Sequence, residues 1–173
     1  MMADMALAEP IVTLAEAQAF ARIETNEEEA LVAGMIRSAS ALCEAFLGQV
    51  VIARTFTEQL SASAEWQRLN SIPVRSIDAV TSGGAPLAAT AYATDIDSSG
   101  RGWVRVTDPA VTGPVEVAGT AGIALSRNSV PEPVRHGVVR LVSHLFAARD
   151  GENGEIPAAV TALWRPFRRV RVA

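Results

Sequence analysis

The chain contains no lysine: all fifteen basic residues among its 173 are arginine. An arginine-only repertoire is what a GC-rich coding sequence produces, and the planar guanidinium also suits paired contacts with carboxylates or phosphates better than an ammonium does. Cysteine is nearly absent. Cys43 stands alone, which excludes an internal disulfide, and its place in an apolar helical pattern assigns it to packing, not to redox chemistry. No apolar run approaches the roughly 20 residues of a membrane span. Met1 to Pro10 lacks the basic start and long apolar centre of a signal peptide. These absences predict synthesis in the cytoplasm and no membrane partner.

The usual carriers of chemistry are missing too. His136 and His144 lie eight residues apart, two turns along a helix and too distant to share a small ion with Cys43. No serine sits in a G-x-S-x-G elbow, and neither Gly83-Gly84 nor Gly100-x-Gly102 precedes a helix start that would cradle a phosphate. Asp95, Asp97 and Ser98 only weakly resemble a cation loop, because the EF-hand spacing and terminal glutamate are absent. The sequence offers no catalytic residue, no cofactor site and no metal site. It points to a structural or binding role instead of an enzyme.

What is present is an apolar fraction of 49% and a charged fraction of 20%, enough for one well-buried core in a single domain over 1–173. Thr13 to Glu16 has capping-box form, so a short helix is expected over 14–21. Asn26 followed by Glu27, Glu28 and Glu29 starts a second helix, with acids at the positive end of its dipole. That helix runs to about Leu47 and stops at Gly48. Its expected core stripe is Leu31, Met35, Leu42 and Phe46, joined by Ile36, Ala39 and Cys43.

The period then shortens. Residues 50–60, 65–69, 76–80, 103–106 and 115–118 read as strands, separated by turn-forming runs such as 82–86 and 97–100. Helical spacing returns after Pro133 with Val134, Val138, Leu141, Val142, Leu145 and Phe146, up to about Arg149, before a flexible loop over 150–154. A last short helix is expected over 157–164 and is checked by Pro166. The fold class is therefore α+β: a helical core from 13–48 and 131–164, an antiparallel β insertion over 50–125, and an extended basic tail over 165–173.

Charge is unevenly divided. Residues 1–163 carry 11 arginines against 19 acids, a formal charge of -8, whereas Arg165, Arg168, Arg169 and Arg171 add +4 within the last ten residues. Trp164 and Phe167 sit among them. Such a segment is costly to bury within its own domain. A partner can pair the arginines and cover the two rings, so Trp164, Arg165, Phe167, Arg168, Arg169 and Arg171 form the candidate partner-binding set.

Four segments together resemble the head-tail connector, or adaptor, proteins of tailed bacteriophages and of gene transfer agents. Leu14 to Ile23 is similar to that family's opening "LxEAKxxLRI", and Asn26 to Gly48 to its acidic-capped helix ending in "AExxxG". Leu69 to Asp78 looks like "LPxxPVxSI", with Asn70 and Ser71 where proline is common. Val130 to Phe146 and Ile156 to Arg168 look like the final helix and the terminal "PxxVxxLLxPxR", with Trp164 in place of a leucine. The resemblance implies a ring of about a dozen copies beneath a portal protein. Such a ring continues the DNA channel, lets DNA pass without specific binding, and offers a platform to a tail or stopper protein. It also implies assembly in the cytoplasm and then residence at the portal vertex of a particle, with the arginine-rich end docking on the portal. An acidic channel wall would repel phosphates. A DNA-binding module that grips phosphates through the arginine tail, and a small enzyme of unrecognised type, are the alternatives.

Overall fold

Thr13 opens the first helix through its side chain. In the computed structural model of the chain, which describes residues 9–23, 28–148 and 155–169, α1 spans Leu14–Ala21. The Glu16 N–H donates to Thr13 Oγ1 at 3.0 Å, and Glu16 Oε2 accepts from the Thr13 N–H at 2.7 Å. Both halves of the capping box are therefore closed, and two otherwise orphaned donors are satisfied.

The described residues fall into two compact units. One comprises 9–52 and 124–169, the other 53–123.

The first unit is helical. After α1, α2 spans Glu29–Leu47, and its expected beginning at Asn26 and Glu27 lies outside the described residues. The expected core stripe holds in part: Ile36, Ala39 and Cys43 are buried, together with Val32, Ser40 and Leu47, whereas Leu31 and Leu42 are 45% and 38% exposed and Met35 and Phe46 half-buried. Nearly every position of α2 is apolar or small, and the arc turned inward includes the short side chains of Ala39, Ser40 and Cys43. That lets neighbouring helices approach closely. The expectation that no apolar run approaches a membrane span is corrected at α2, which is long and apolar enough to pass as one, although the same composition serves a core helix.

α3, Glu132–Ala147, starts at two flanking prolines, Pro131 and Pro133, and buries Val134, Gly137, Val138, Leu141 and Val142. Leu145 and Phe146, expected in the same stripe, are only half-buried. α4, Ala158–Trp164, runs into a single 3-10 turn over Arg165–Phe167 that holds Pro166. α3 is the hub of the unit: α1, α2 and α4 all pack on it. Each fully buried Val, Leu or Ile adds about 1.5–3 kcal/mol relative to exposure, so this apolar centre dominates the unit's stability.

The second unit holds seven strands: β1 Arg54–Ser61, β2 Gln67–Arg68, β3 Val74–Ser82, β4 Ala85–Pro86, β5 Tyr92–Ile96, β6 Gly102–Val106 and β7 Pro114–Ala121. They make two antiparallel sheets, β1-β7-β3-β4 and β2-β6-β5. Gly83 and Gly84, both at positive φ, form the β3–β4 turn. β5 was not expected from sequence. Its five residues include three exposed ones, so the alternation that marks a strand is missing.

The β5–β6 loop is organised by Asp97. Its Oδ1 accepts from the Ser99 hydroxyl at 2.6 Å, the Ser99 N–H at 2.8 Å and the Arg101 N–H at 3.0 Å, while Oδ2 accepts from Trp103 Nε1 at 3.3 Å. These donors, the Ser99 hydroxyl foremost, hold the carboxyl well below the ordinary aspartate range. The oxygens that weakly resembled a cation loop are committed to shaping a hairpin.

Candidate functional site

α4 places Val160 and Trp164 one turn apart on one side, and both are buried. Trp164 is fully enclosed at 0% exposure, and its Nε1–H donates to the Val134 carbonyl at 3.1 Å. Its ring packs tilted on Phe46, with centroids 5.8 Å apart. The space for it is made by Gly137, where even a methyl group would come within 2.1 Å of Nε1. This corrects the sequence expectation that Trp164 anchors a partner. An indole with its apolar body covered and its one donor satisfied by its own chain has nothing left to offer outside.

Phe167, Arg168 and Arg169 lie at the C-terminal end of α2, with Arg165 at the start of the turn that leads into them. Arg165 and Arg168 are exposed, while Phe167 and Arg169 are half-buried. The Arg168 guanidinium stands 5.2 Å from the centre of the Phe46 ring, a cation–π contact. The Arg169 N–H donates to the Leu47 carbonyl at 2.9 Å, and Gln49 Nε2 donates to the Phe167 carbonyl at 2.6 Å. Gly48, at φ +65°, ends α2 in the left-handed conformation that admits this crossing. The last carbonyls of a helix lack partners within the helix, and here a segment from the far end of the chain supplies one. The negative end of the α2 dipole also favours the cations gathered there. The structure thus brings Arg165, Phe167, Arg168 and Arg169 to one place and withdraws Trp164 from it. Arg171 lies outside the described residues.

Elsewhere in the helical unit, charged side chains tie elements together. Arg135 on α3 pairs with Glu16 of α1 and, at 3.2 Å, with Glu132. Arg127 reaches Glu9 at 3.1 Å and the Pro10 carbonyl at 3.1 Å. Burial raises the Glu16 pKa somewhat, but the Thr13 hydrogen bonds and the Arg135 and Arg127 charges outweigh it and leave the carboxyl below its usual value. Cys43 is buried, which pushes its thiol far up and makes it a poor nucleophile. His136 lies edge-on to Phe20, centroids 5.9 Å apart. Among the described residues no group of three or more His, Cys, Asp or Glu side chains could hold a metal ion.

One surface escaped the sequence reading. On β6, Gly102, Val104 and Val106 are buried, and Trp103 and Arg105 point to the other side. Trp66 is exposed and meets Arg105, whose guanidinium carbon is 4.8 Å from its ring centre. The signal was present as a strand alternating small or apolar residues with Trp and Arg.

Comparison with known proteins fits this picture of a binding protein. A search of curated protein sequences finds no match. Among solved structures, a chain in the "Neck of empty GTA particle computed with C6 symmetry" is 27% identical at a TM-score of 0.76, over 100% of this chain and 98% of that one. A chain in the "Virion of native gene transfer agent (GTA) particle" is 25% identical at 0.76 with the same coverage, and one in the "Neck of native GTA particle computed with C12 symmetry" is 25% identical at 0.71. Residues 10–155 match the family model of head completion proteins. The chain therefore belongs to the head completion family of head-tail connectors, adaptors of gene transfer agent particles included.

Proposed function

We propose that this protein is the adaptor of a phage-like particle, assembling into a ring between portal and tail that continues the DNA channel. The observation that carries the reading is the match over the whole chain to subunits of gene transfer agent necks, two of them computed with cyclic symmetry. A ring places the same weak contact around the axis many times, so modest individual interactions hold firmly. The acidic body, -8 over residues 1–163, suits a channel through which DNA slides without being gripped.

In this reading the C-terminal segment is the portal-docking arm. Arg165, Arg168 and Arg171, with Phe167, pair with acidic and apolar groups of the portal, and Trp164 seats the base of the arm in the bundle. The adaptor then presents a platform to a tail or stopper protein. It is made in the cytoplasm and ends in the particle.

Charge reversal tests the arm. Arg165→Glu, Arg168→Glu and Arg171→Glu combined leave the Arg169 N–H bond to Leu47 and the Gln49 side-chain bond to the Phe167 carbonyl in place but remove the Arg168 contact with Phe46, so the purified protein should remain folded and melt only slightly below the wild type. Particles made with it should be filled heads lacking both this protein and the tail. Intact tailed particles would sink the docking arm. Affinity of the purified wild type for duplex DNA that falls steeply between two salt concentrations would favour the DNA-gripping alternative.

A further inference from the structure

We infer that the outward face of the β2-β6-β5 sheet, built from Trp66, Arg68, Trp103 and Arg105, docks against the acidic surface of a second copy of this chain. The inference rests on the ring reading above. Strand pairing sets Arg68 on one flank of Trp103 and Asp95 on the other, with Ala93 beside Arg105. Trp66 is 42% exposed, Arg68 is exposed, and the Arg105 Nε–H, itself buried, has no acceptor. Two of the chain's three tryptophans thus share one small face with two arginines. Trp and Arg are the residue types that most often carry binding energy at protein interfaces: the ring supplies area at low entropic cost and the guanidinium pairs with carboxylates.

Charge decides the occupant. Duplex DNA would bring phosphates against Asp95, which is exposed, and against Asp97, whose ionised carboxylate contacts the Trp103 N–H. A protein surface bearing separate carboxylates can meet Arg68 and Arg105 and leave those two acids in water. This chain carries carboxylates in excess, 19 acids against 11 arginines over residues 1–163. In a ring the next copy lies within reach at a fixed orientation, and a contact between two different faces propagates around the axis.

The test uses the full chain in assembled particles, with p-benzoylphenylalanine in place of Trp66 and, in a second variant, in place of Arg68. After irradiation, cross-linked peptides are identified by mass spectrometry. Both probes should join to a second copy of this chain, at peptides carrying Asp or Glu. Adding Arg105→Glu should lower the yield from the position 66 probe about ten-fold or more, the equivalent of one lost strong contact. Cross-links to portal, to another particle protein or to DNA would overturn the inference and leave the ring reading standing. So would the absence of any cross-link from protein that is present in the particles. If the unsubstituted protein is missing from the neck, the ring reading falls and this inference with it.

Discussion

The indole of Trp164 occupies the place where a side chain at residue 137 would stand: a Cβ on Gly137 would lie 2.1 Å from its Nε1. α3 and α4 are therefore fitted to each other at one point, with a hole on one helix and a large ring on the other. Two tendencies compete if that hole is filled. Alanine in a helix interior is favoured over glycine by about 1 kcal/mol, whereas forcing an extra methyl into a packed site costs about 1–3 kcal/mol. The ring is enclosed and hydrogen-bonded, so the clash wins, and Gly137→Ala should lower stability by about 1–2 kcal/mol. The midpoint of urea unfolding measures this, and a raised midpoint would mean that the ring can shift aside.

A second consequence concerns Gly48. Its positive φ disfavours any other residue by about 1–2 kcal/mol, and an added Cβ would stand 3.3 Å from the Arg169 carbonyl oxygen. Gly48→Ala should destabilise the protein by about that amount and speed amide exchange at Arg169. Gly48→Asn, which tolerates the left-handed region better, should do less damage. Equal loss in the two variants would show that the backbone conformation is not what matters.

Glu16 gives the helical unit an acid sensitivity with a defined sign. Its carboxyl is held below the usual value in the folded chain, so its contribution is complete above the ordinary glutamate range and fades as pH falls through the lowered value. α1 should loosen first on acidification, because the same carboxylate closes its cap and pairs with Arg135. Glu16→Gln should weaken α1 at neutral pH and flatten the loss of stability between about pH 7 and about pH 3. Thermal unfolding across that range checks the slope. An unchanged slope would assign acid sensitivity to other carboxylates.

Much of this architecture was legible in the residues, and the failures have physical causes. The Thr13 capping box gave α1 to the residue, because capping is local chemistry between neighbours four positions apart at most. α2 follows from its periodicity, and Ile36, Ala39 and Cys43 face inward as expected, but Leu31 and Leu42 do not. Its apolar and small residues cover most of the circumference, so Leu31 and Leu42 compete equally with Val32 and Ile36 until the packing of α3 decides. Trp164 was misassigned for a different reason. Its arginine neighbours suggested exposure, yet Val160 lies one turn before it on the same side, and the complementary feature is a missing side chain on another helix. A hole at residue 137, on another helix, leaves no mark at position 164. The Trp and Arg face of the second sheet needed β2 and β6, more than thirty residues apart, to be paired before its members met, and nothing local in either strand announces that pairing.

The bond from the Arg169 N–H to the Leu47 carbonyl gives the C-terminal segment a mechanical character. Tension applied to the chain beyond Arg169 meets α2 at once, through that bond and through Gln49, and reaches α3 one helix earlier in the chain, through the trapped indole of Trp164. The segment is hitched at two points to two helices, and both hitches must slip before a pull can draw it out.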